Sequence, residues 1–440
     1  MYEKAIAELA SSVQVELPPV RVVDDGARLP SPFKVEEAAA VSVGAALGAA
    51  AGLVGGEGEL EMREALAAFL DERFFRVNNK PPLMWAPFSG DYRAADGWVR
   101  LHCNFDHHRE AVLRALGLKP KAEREEVEEA CAGRTARGVE DAVTAEGGCA
   151  GALRTMEEWA AHPQSRAVRE LPLVGMERVG GAPAGAGRRR AGEWPLEGVR
   201  VLDLTRVIAG PVATRTLAAH GAKVLRVGAP ALPEVAGLVV STAFGKRSTL
   251  LDLRSEKGAR RLRELVAGAD VIVRGYRPGA LEGLGFGVEE LASLRPGIVC
   301  VDISAYGGRG PWGMRRGFDS LVQMVTGIAH GPEPEPLPAQ VLDHATGYLA
   351  AFGAMAALAR QGAEGGSWRV ELSLARTAQW LVEMGQAAPV ERFRIDGLLG
   401  EMESTFGELT YVLPPGRIDG RRPEWTGPPP MKGQHHPEWW

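Results

Sequence analysis

The chain has 440 residues, of which 45% are apolar and 24% are charged, so it is neither a disordered nor a fibrous protein. Its length corresponds to about three domain-sized units. The 51 basic and 56 acidic residues give a net charge of −5, which excludes the strongly basic field of nucleic-acid-binding and anionic-membrane-binding proteins.

The four cysteines, Cys103, Cys131, Cys149 and Cys300, are widely spaced and include no CxxC pair. This spacing fits neither a structural zinc site nor a dense disulfide framework. We therefore expect no metal and a reducing, cytoplasmic location. The N-terminal residues MYEKAIAELASS carry acidic side chains early and lack the basic start and apolar core of a signal peptide.

The first segment, residues 1–84, is predicted to be mainly helical. Residues 38–56 are uncharged, and Gly44, Gly48 and Gly52 are four positions apart, a pattern also found where membrane helices meet. Only five residues of this stretch are strongly apolar, which is too few for insertion. A closely packed, buried helix is therefore expected, with no membrane partner. Residues 62–75 give a second helix, with apolar positions three or four apart.

A small α+β domain is predicted over residues 85–178. A turn at Asp96-Gly97 leads into a short strand at 98–102. Four helices are expected to follow it, at 106–117, 121–132, 136–146 and 153–160. Residues 179–194 are rich in glycine, alanine and proline and include three consecutive arginines, as is typical of a linker.

Strands and helices alternate over residues 195–395. The predicted strands are 199–204, 223–227, 271–273, 298–303 and 368–372, and the predicted helices between them are 211–220, 255–268, 288–294 and 345–360. Strands separated by helices imply a parallel sheet covered on both faces. We expect an α/β fold, doubly wound and Rossmann-like, with a mostly parallel sheet. The last segment, 396–440, ends in a proline- and tryptophan-rich stretch and is expected to be an extended arm.

Two features of the large domain suggest a ligand site at the carboxyl edge of its sheet. The first strand is followed by Val207-Ile208-Ala209-Gly210-Pro211, where small residues before a helix would let a ligand approach the backbone. A tight structural turn is the alternative. Four cations, Arg226, Lys246, Arg247 and Arg277, are expected at strand ends on the same edge, where they could hold a phosphorylated ligand. Ordinary surface charges are the alternative for each of them.

Asp343 is the sharpest candidate for a reactive group. It stands just before a long apolar helix, where aspartate is also a preferred N-cap, so capping and catalysis are both open. A helix N-terminus favours the ionised carboxylate that a nucleophile needs. His344 would point roughly 100° away on a helix, which argues against a simple Asp–His dyad. The adjacent pairs His107-His108 and His435-His436 have no metal-ligand spacing and are expected to be solvated.

Residues 196–380 resemble the large domain of the class III CoA-transferases, the formyl-CoA transferase or CaiB/BaiF family. The stretches that carry the resemblance occur in the family's order and are PLEGVRVLDLTRVIAGPVATRTLAAHGAKVLRV, FGKRSTLLDL, ADVIVRGYRPGALEGLGFGVEELASLRPGIVCVDISAYGGRGP, RRGFDSLVQMVTGIA and LDHATGYLAAFGAMAALARQ.

The resemblance implies roles for particular residues. Asp343 would be the nucleophile, and the backbone of Ile208, Ala209 and Gly210 would hold the adenosine of CoA. Arg226, Lys246 and Arg247 would contact its phosphates, and Tyr306 would line the thioester region. CoA would be a substrate, with no cofactor required, and the chain would form a homodimer.

The chain also departs from the family. Gly228 and Gly275 stand where a glutamate and an asparagine are usual. The small domain, which normally follows the large one, precedes it here. The chain therefore resembles a permuted family member or a fusion with a truncated first copy, of which residues 30–75 would be a remnant.

Three functions remain open from the sequence. The first is transfer of CoA between an acyl-CoA and a small carboxylic acid through an aspartyl-CoA thioester, with oxyanions bound by the helix start after Asp343 and by the loop 307–310. The second is a racemase or epimerase of CoA esters. The resemblance implies that this function would need a histidine base where Phe318 stands, unless His344 or His330 replaces it. The third is a non-catalytic CoA-binding subunit in which Asp343 is only a cap.

Overall fold

A computed structural model describes residues 1–185 and 193–440. Residues 186–192, the centre of the predicted linker with its three arginines, lie outside the described residues.

The N-terminal segment is mainly helical, and it also contains three short strands that the sequence did not predict. Its elements are α1 (Tyr2–Ser12), β1 (Val20–Val23), α2 (Val35–Val54), β2 (Gly58–Glu61), α3 (Met62–Phe69), α4 (Asp71–Phe74) and β3 (Arg76–Val77). The uncharged stretch forms α2, and β1 pairs in parallel with β2.

The small domain packs helices against a three-stranded antiparallel sheet. Its elements are β4 (Gly90–Ala94), β5 (Gly97–Leu101), α5 (Asp106–Leu116), α6 (Arg124–Ala132), α7 (Ala136–Ala145), β6 (Ala150–Ala152), α8 (Met156–Ala161) and α9 (Pro163–Arg169). The next strand, β7 (Gly175–Gly180), leaves this domain and runs across the boundary expected at residue 178.

The large domain follows the predicted alternation closely. Its elements are β8 (Arg200–Leu204), α10 (Ala209–Ala219), β9 (Lys223–Gly228), α11 (Ala236–Thr242), β10 (Lys246–Leu250), α12 (Glu256–Ala267), β11 (Val271–Arg274), a 3₁₀ turn (Glu282–Leu284), α13 (Val288–Leu294), β12 (Val299–Ser304), α14 (Asp319–Thr326), α15 (Val341–Glu364), β13 (Ser367–Ser373) and α16 (Leu374–Glu383).

In the described part of the chain, seven strands form the central sheet in the order β10-β9-β8-β11-β12-β13-β7. All neighbours are parallel except β7, which pairs antiparallel with β13 and comes from before the large domain. Successive residues of β8, such as Val201 and Leu202, point to opposite faces of the sheet and enter different apolar cores. The α/β fold with a mostly parallel sheet is confirmed. The doubly wound topology stays a prediction, supported by this strand order and by the burial of both faces.

The N-terminal segment shares its core with the large domain instead of forming a separate unit. Helix α2 packs along α15, and both belong to one continuous apolar cluster. These two helices are long and apolar enough to span a membrane, but 83% and 100% of their apolar windows are buried in the protein, as in ordinary core helices. The order α2-β2-α3 repeats α15-β13-α16, which supports the prediction that residues 30–75 are a remnant copy.

The last segment is only partly an extended arm. It forms a hairpin, β14 (Leu399–Ser404) and β15 (Gly407–Val412), which pairs with β3, and a short strand, β16 (Arg417–Ile418), which pairs with β2. The remaining tail lies along β10, where the His435 backbone N–H donates to the Ser248 carbonyl at 2.8 Å. The strands of the last segment are therefore held by hydrogen bonds to two strands of the N-terminal segment, since β15 pairs with β3 and β16 pairs with β2.

Candidate functional site

A groove of about 550 Å³ lies at the carboxyl edge of the sheet. Its floor is formed by residues that end or follow β8, β9, β10, β11 and β12, among them Leu204, Gly228, Leu251, Gly275 and Ser304. Ligands of open α/β sheets bind at this edge. Three residues of the small domain, Phe105, His107 and His108, close the groove from above. The expectation of solvated histidines is therefore wrong for His108, which is 3% exposed.

The turn between β8 and α10 approaches the groove with a strained backbone. Val207 has a φ of +73°, a left-handed conformation that a β-branched residue rarely adopts. Ala209 and Gly210 line the groove, whereas Ile208 is 5% exposed and is not among the lining residues. A Cβ at Gly210 would lie 2.4 Å from Thr205 Cβ, so only glycine fits there.

Asp343 lies in the groove wall as the third residue of α15. Its backbone N–H donates to Asp319 Oδ2 at 2.8 Å, so the start of α15 is capped by an aspartate from α14. The backbone N–H of Ala209, at the start of α10, acts on the Asp343 carboxylate and favours its ionised form. Its carboxylate is therefore not used as the cap of its own helix. The Asp343 carboxylate lies at the groove, near the N-terminal ends of both α15 and α10.

The environment of Asp343 opposes ionisation more than the sequence suggests. Burial raises the pKa of Asp343 well above its usual range, and the neighbouring Asp319 and Glu72 carboxylates raise it further. Burial also raises the pKa of Asp319 to about 6. The helix dipole and the Ala209 N–H act in the opposite direction. The carboxylate is consequently more basic than an exposed aspartate.

Gly347 sets the distance between the two helices that hold Asp343. A Cβ at this position would lie 2.6 Å from the Ala209 carbonyl oxygen and 2.9 Å from Val212 Cβ. Only glycine allows the backbone of α10 to come this close to α15.

We expect Gly347→Ala to separate the Ala209 N–H from Asp343. A misplacement of about 1 Å in such a site costs roughly 10²-fold in rate, and overpacking costs about 1–3 kcal/mol of stability. Turnover and the thermal unfolding midpoint measure the two effects. Gly362→Ala is the matched control, since a Cβ there meets nothing within 4 Å on the same helix. Equal activity of the two variants would contradict the role of Gly347.

Two of the four predicted cations are placed on the wrong edge. Lys246 and Arg247 begin β10, so in a parallel sheet they lie opposite the carboxyl edge. The Lys246 side chain is fully buried, and its Nζ lies 2.9 Å from Asp203 Oδ2. Arg247 stacks on Trp440, with its Cζ 4.2 Å from the ring centroid. Neither residue lines the groove.

Of the other two cations, one reaches the groove. Arg226 is 5% exposed and forms an ion pair with Glu234, away from the groove lining. Arg277 is exposed and lines the groove. Four arginines that were not predicted from the sequence, Arg206, Arg254, Arg315 and Arg316, also line it. Arg206 lies two residues after the end of β8, and this position at a strand end was the sequence signal that could have identified it.

Tyr306 lies behind the groove instead of lining it. It is 1% exposed, and burial raises the pKa of its hydroxyl to about 12. Its ring packs directly behind Gly317, which does line the groove. The loop expected to bind oxyanions is also displaced, since Gly307 and Gly308 face a neighbouring cavity of about 440 Å³. The Ala209 N–H is the better placed donor.

The two histidines considered as a second base do not reach the groove. His344 is fully buried and lies against Glu72, with Nε2 3.0 Å from Oε1. His330 is exposed and is not among the lining residues. Phe318 lines the groove and stacks on His102, with ring centroids 3.6 Å apart.

Two family departures fall inside this site. Gly228 and Gly275, which stand where family members usually have a glutamate and an asparagine, both line the groove. A Cβ at Gly275 would approach no atom closer than 3.4 Å, so this position has room for a side chain. The groove is therefore wider and less polar at these points than the resemblance implies.

Comparisons with known proteins identify the relatives of this chain. It is 38% identical over 199 residues to the acetyl-coenzyme A transferase nodX of Hypoxylon pulicicidum, covering 43% of the chain and 34% of that protein. It is 37% identical over 180 residues to the human succinyl-CoA:glutarate CoA-transferase, covering 37% of the chain and 41% of that protein. The chain thus aligns with less than half the length of these relatives.

The same fold occurs in a solved structure. The orthorhombic form of Rv3272 from Mycobacterium tuberculosis superimposes with a TM-score of 0.50 at 24% identity, covering 55% of this chain and 98% of that one.

The family model for CoA-transferase family III matches residues 40–183 and 196–394, which together make up more than half of the chain. The first stretch includes most of α2 and the small domain, and the second includes the groove and Asp343. The chain therefore belongs to CoA-transferase family III.

Proposed function

We propose that this protein transfers CoA from an acyl-CoA to a small carboxylic acid through an aspartyl-CoA thioester on Asp343. The observation that carries the proposal is a buried carboxylate that lines a long groove, where the backbone N–H of Ala209 favours its ionised form. CoA transfer is the activity named for both curated relatives.

The reaction needs four balanced steps. An Asp343 oxygen attacks the thioester carbonyl, the C–S bond breaks, and an acyl anhydride and the CoA thiolate result. The thiolate attacks Cγ of Asp343, a new C–S bond forms, and the donor acid leaves as a carboxylate. The acceptor carboxylate then attacks Cγ, which forms a second anhydride and releases the thiolate. The thiolate attacks the acceptor carbonyl, so that the new acyl-CoA and free Asp343 are formed.

The residues around Asp343 fit these steps. The Ala209 N–H lies at the start of α10, where the helix dipole favours developing negative charge. Exclusion of water by Phe105, Phe318 and His108 would protect the anhydrides from hydrolysis. CoA enters these steps as a substrate, and no cofactor takes part in them.

The groove also offers a path for CoA. Its lining includes Arg206, Arg254 and Arg277, which replace the predicted Lys246 and Arg247 as candidates for phosphate contacts. We therefore place the nucleotide near the arginines and the thioester at Asp343. A cytoplasmic homodimer remains part of this proposal.

Incubation with acetyl-CoA and succinyl-CoA, followed by peptide mass spectrometry, tests the proposal. We expect a CoA or acyl adduct on the peptide that contains Asp343. Solvent deuterium at the α-carbon of the acyl group without an adduct would instead indicate the isomerase. CoA binding with neither result would indicate a non-catalytic subunit, and either outcome would overturn the transfer mechanism.

A further inference from the structure

The N-terminal segment reaches the residue next to the proposed nucleophile. Glu72 of α4 lies against the buried ring of His344, whose Nε2 is 3.0 Å from Oε1 and 3.1 Å from Oε2. Phe69 stacks on the same ring, with centroids 5.5 Å apart. The imidazole that follows Asp343 is thus held between an aromatic ring and a carboxylate, both from the first 84 residues.

A buried ion pair between Asp71 and Arg215 also holds α4 in place. Asp71 Oδ2 lies 2.9 Å from an Arg215 nitrogen on α10, and this guanidinium also donates to the Ser241 carbonyl at 2.7 Å. Helix α10 is the one whose first residue, Ala209, favours the ionised form of Asp343 through its backbone N–H. Helix α4 is therefore fixed to both of the helices that meet at the nucleophile.

The charged and titratable groups around this contact come from four helices. Asp343 interacts electrostatically with Asp319 of α14 and with Glu72, while Glu72 interacts with His344 and Arg215. Asp71 interacts with Glu72, Arg215 and His344. The carboxylates that raise the pKa of Asp343 thus come from α14 and from the N-terminal segment.

We propose that Glu72 is a positioning residue for Asp343, which it affects through His344 and through its own negative charge. The proposal rests on the function proposed above. By holding His344, Glu72 fixes the first turn of α15. A carboxylate charge nearby also makes the Asp343 carboxylate more basic, and a more basic carboxylate is a stronger nucleophile.

This arrangement joins the two stretches that match the family model. Glu72 lies in residues 40–183, and Asp343 lies in residues 196–394. The catalytic site is therefore built across both stretches within one chain, and the N-terminal segment is part of it.

The test compares Glu72→Gln with Arg73→Ala, an exposed position on the same short helix. Glutamine keeps a hydrogen-bond acceptor for His344 but removes the charge. The transfer rate rises with pH as Asp343 ionises. We expect Glu72→Gln to move this rise to lower pH by about one unit and to lower the maximum rate about three- to tenfold. Arg73→Ala is expected to match the wild type.

A second readout does not require turnover. A water-soluble carbodiimide with glycine ethyl ester labels protonated carboxyl groups, and mass spectrometry follows the label on Asp343 as the pH is raised. We expect labelling of Asp343 to stop at lower pH in Glu72→Gln than in the wild type. Unchanged labelling in this variant would overturn the role of Glu72. A normal shift in labelling without any adduct from acyl-CoA would overturn the proposed function instead.

Discussion

Asp343→Asn is expected to form no covalent CoA adduct and to lose roughly 10⁴-fold or more of its transfer rate, because the amide cannot serve as the nucleophile. Adduct formation is measured by peptide mass spectrometry and the rate by transfer between acyl-CoA and free acid. Asp141→Asn is the matched control, since Asp141 is an exposed aspartate on α7. Undiminished transfer by Asp343→Asn would contradict the assignment.

The same variant is expected to be more stable than the wild type at neutral pH. The pKa of Asp343 is raised in the folded protein by burial and by Asp319 and Glu72, so the folded state binds this proton more tightly than the unfolded chain. The resulting stability is complete below the unfolded pKa and is lost as the pH rises through the raised folded pKa.

Asparagine does not titrate and loses no stability in this way. The free energy of unfolding of Asp343→Asn should therefore exceed that of the wild type at pH 7 to 8, and the difference should shrink as the pH falls towards 4. Chemical denaturation at several pH values measures it. A variant that is inactive and less stable at every pH would indicate a structural residue.

Lys246→Met is expected to cost about 3–5 kcal/mol of stability, because it leaves Asp203 as a buried charge without its cationic partner. Both side chains of this pair are fully buried, and Lys246 Nζ also donates to the Pro211 carbonyl at 2.9 Å. The cost is measured by chemical denaturation or by the thermal unfolding midpoint.

Arg247→Met is the control for this prediction, because it lies next to Lys246 on the same strand and loses only its stacking on Trp440. Such a partly exposed cation–π contact is worth about 1 kcal/mol or less. Equal destabilisation by the two substitutions would show that Lys246 is not the centre of a buried ion pair.

The sequence was sufficient for those parts of the fold whose signal is local. Strands β8, β9, β11 and β12 are apolar runs, and their positions were predicted within a few residues. Strand β10, with the sequence KRSTL, was missed because it is polar, and it pairs on one side with the C-terminal tail. Without that strand, Lys246 and Arg247 were assigned to the wrong edge of the sheet.

In the candidate site, too, the feature with a local sequence signal was predicted and the features that depend on tertiary contacts were not. Asp343 was predicted from its place before an apolar helix and from the family resemblance. Its neighbours were not, because tertiary packing alone brings them close. Asp319 is 24 positions away, and Glu72 lies 272 positions from the His344 that it contacts. The cap from another helix also explains why the choice between a capping and a catalytic Asp343 could not be made from the sequence.

The antiparallel pairing of β7 with β13 and the packing of α2 on α15 affect how the protein is made. A ribosome releases α2 and β7 long before their partners, so the alanine- and valine-rich surface of α2 stays exposed to water during synthesis. Contacts between segments distant in sequence form late in folding. Until they form, the apolar surfaces that they will bury remain exposed and can aggregate. Nascent chains that have not yet reached β13 should therefore depend on chaperones more strongly than those of a protein whose sheet is built in chain order.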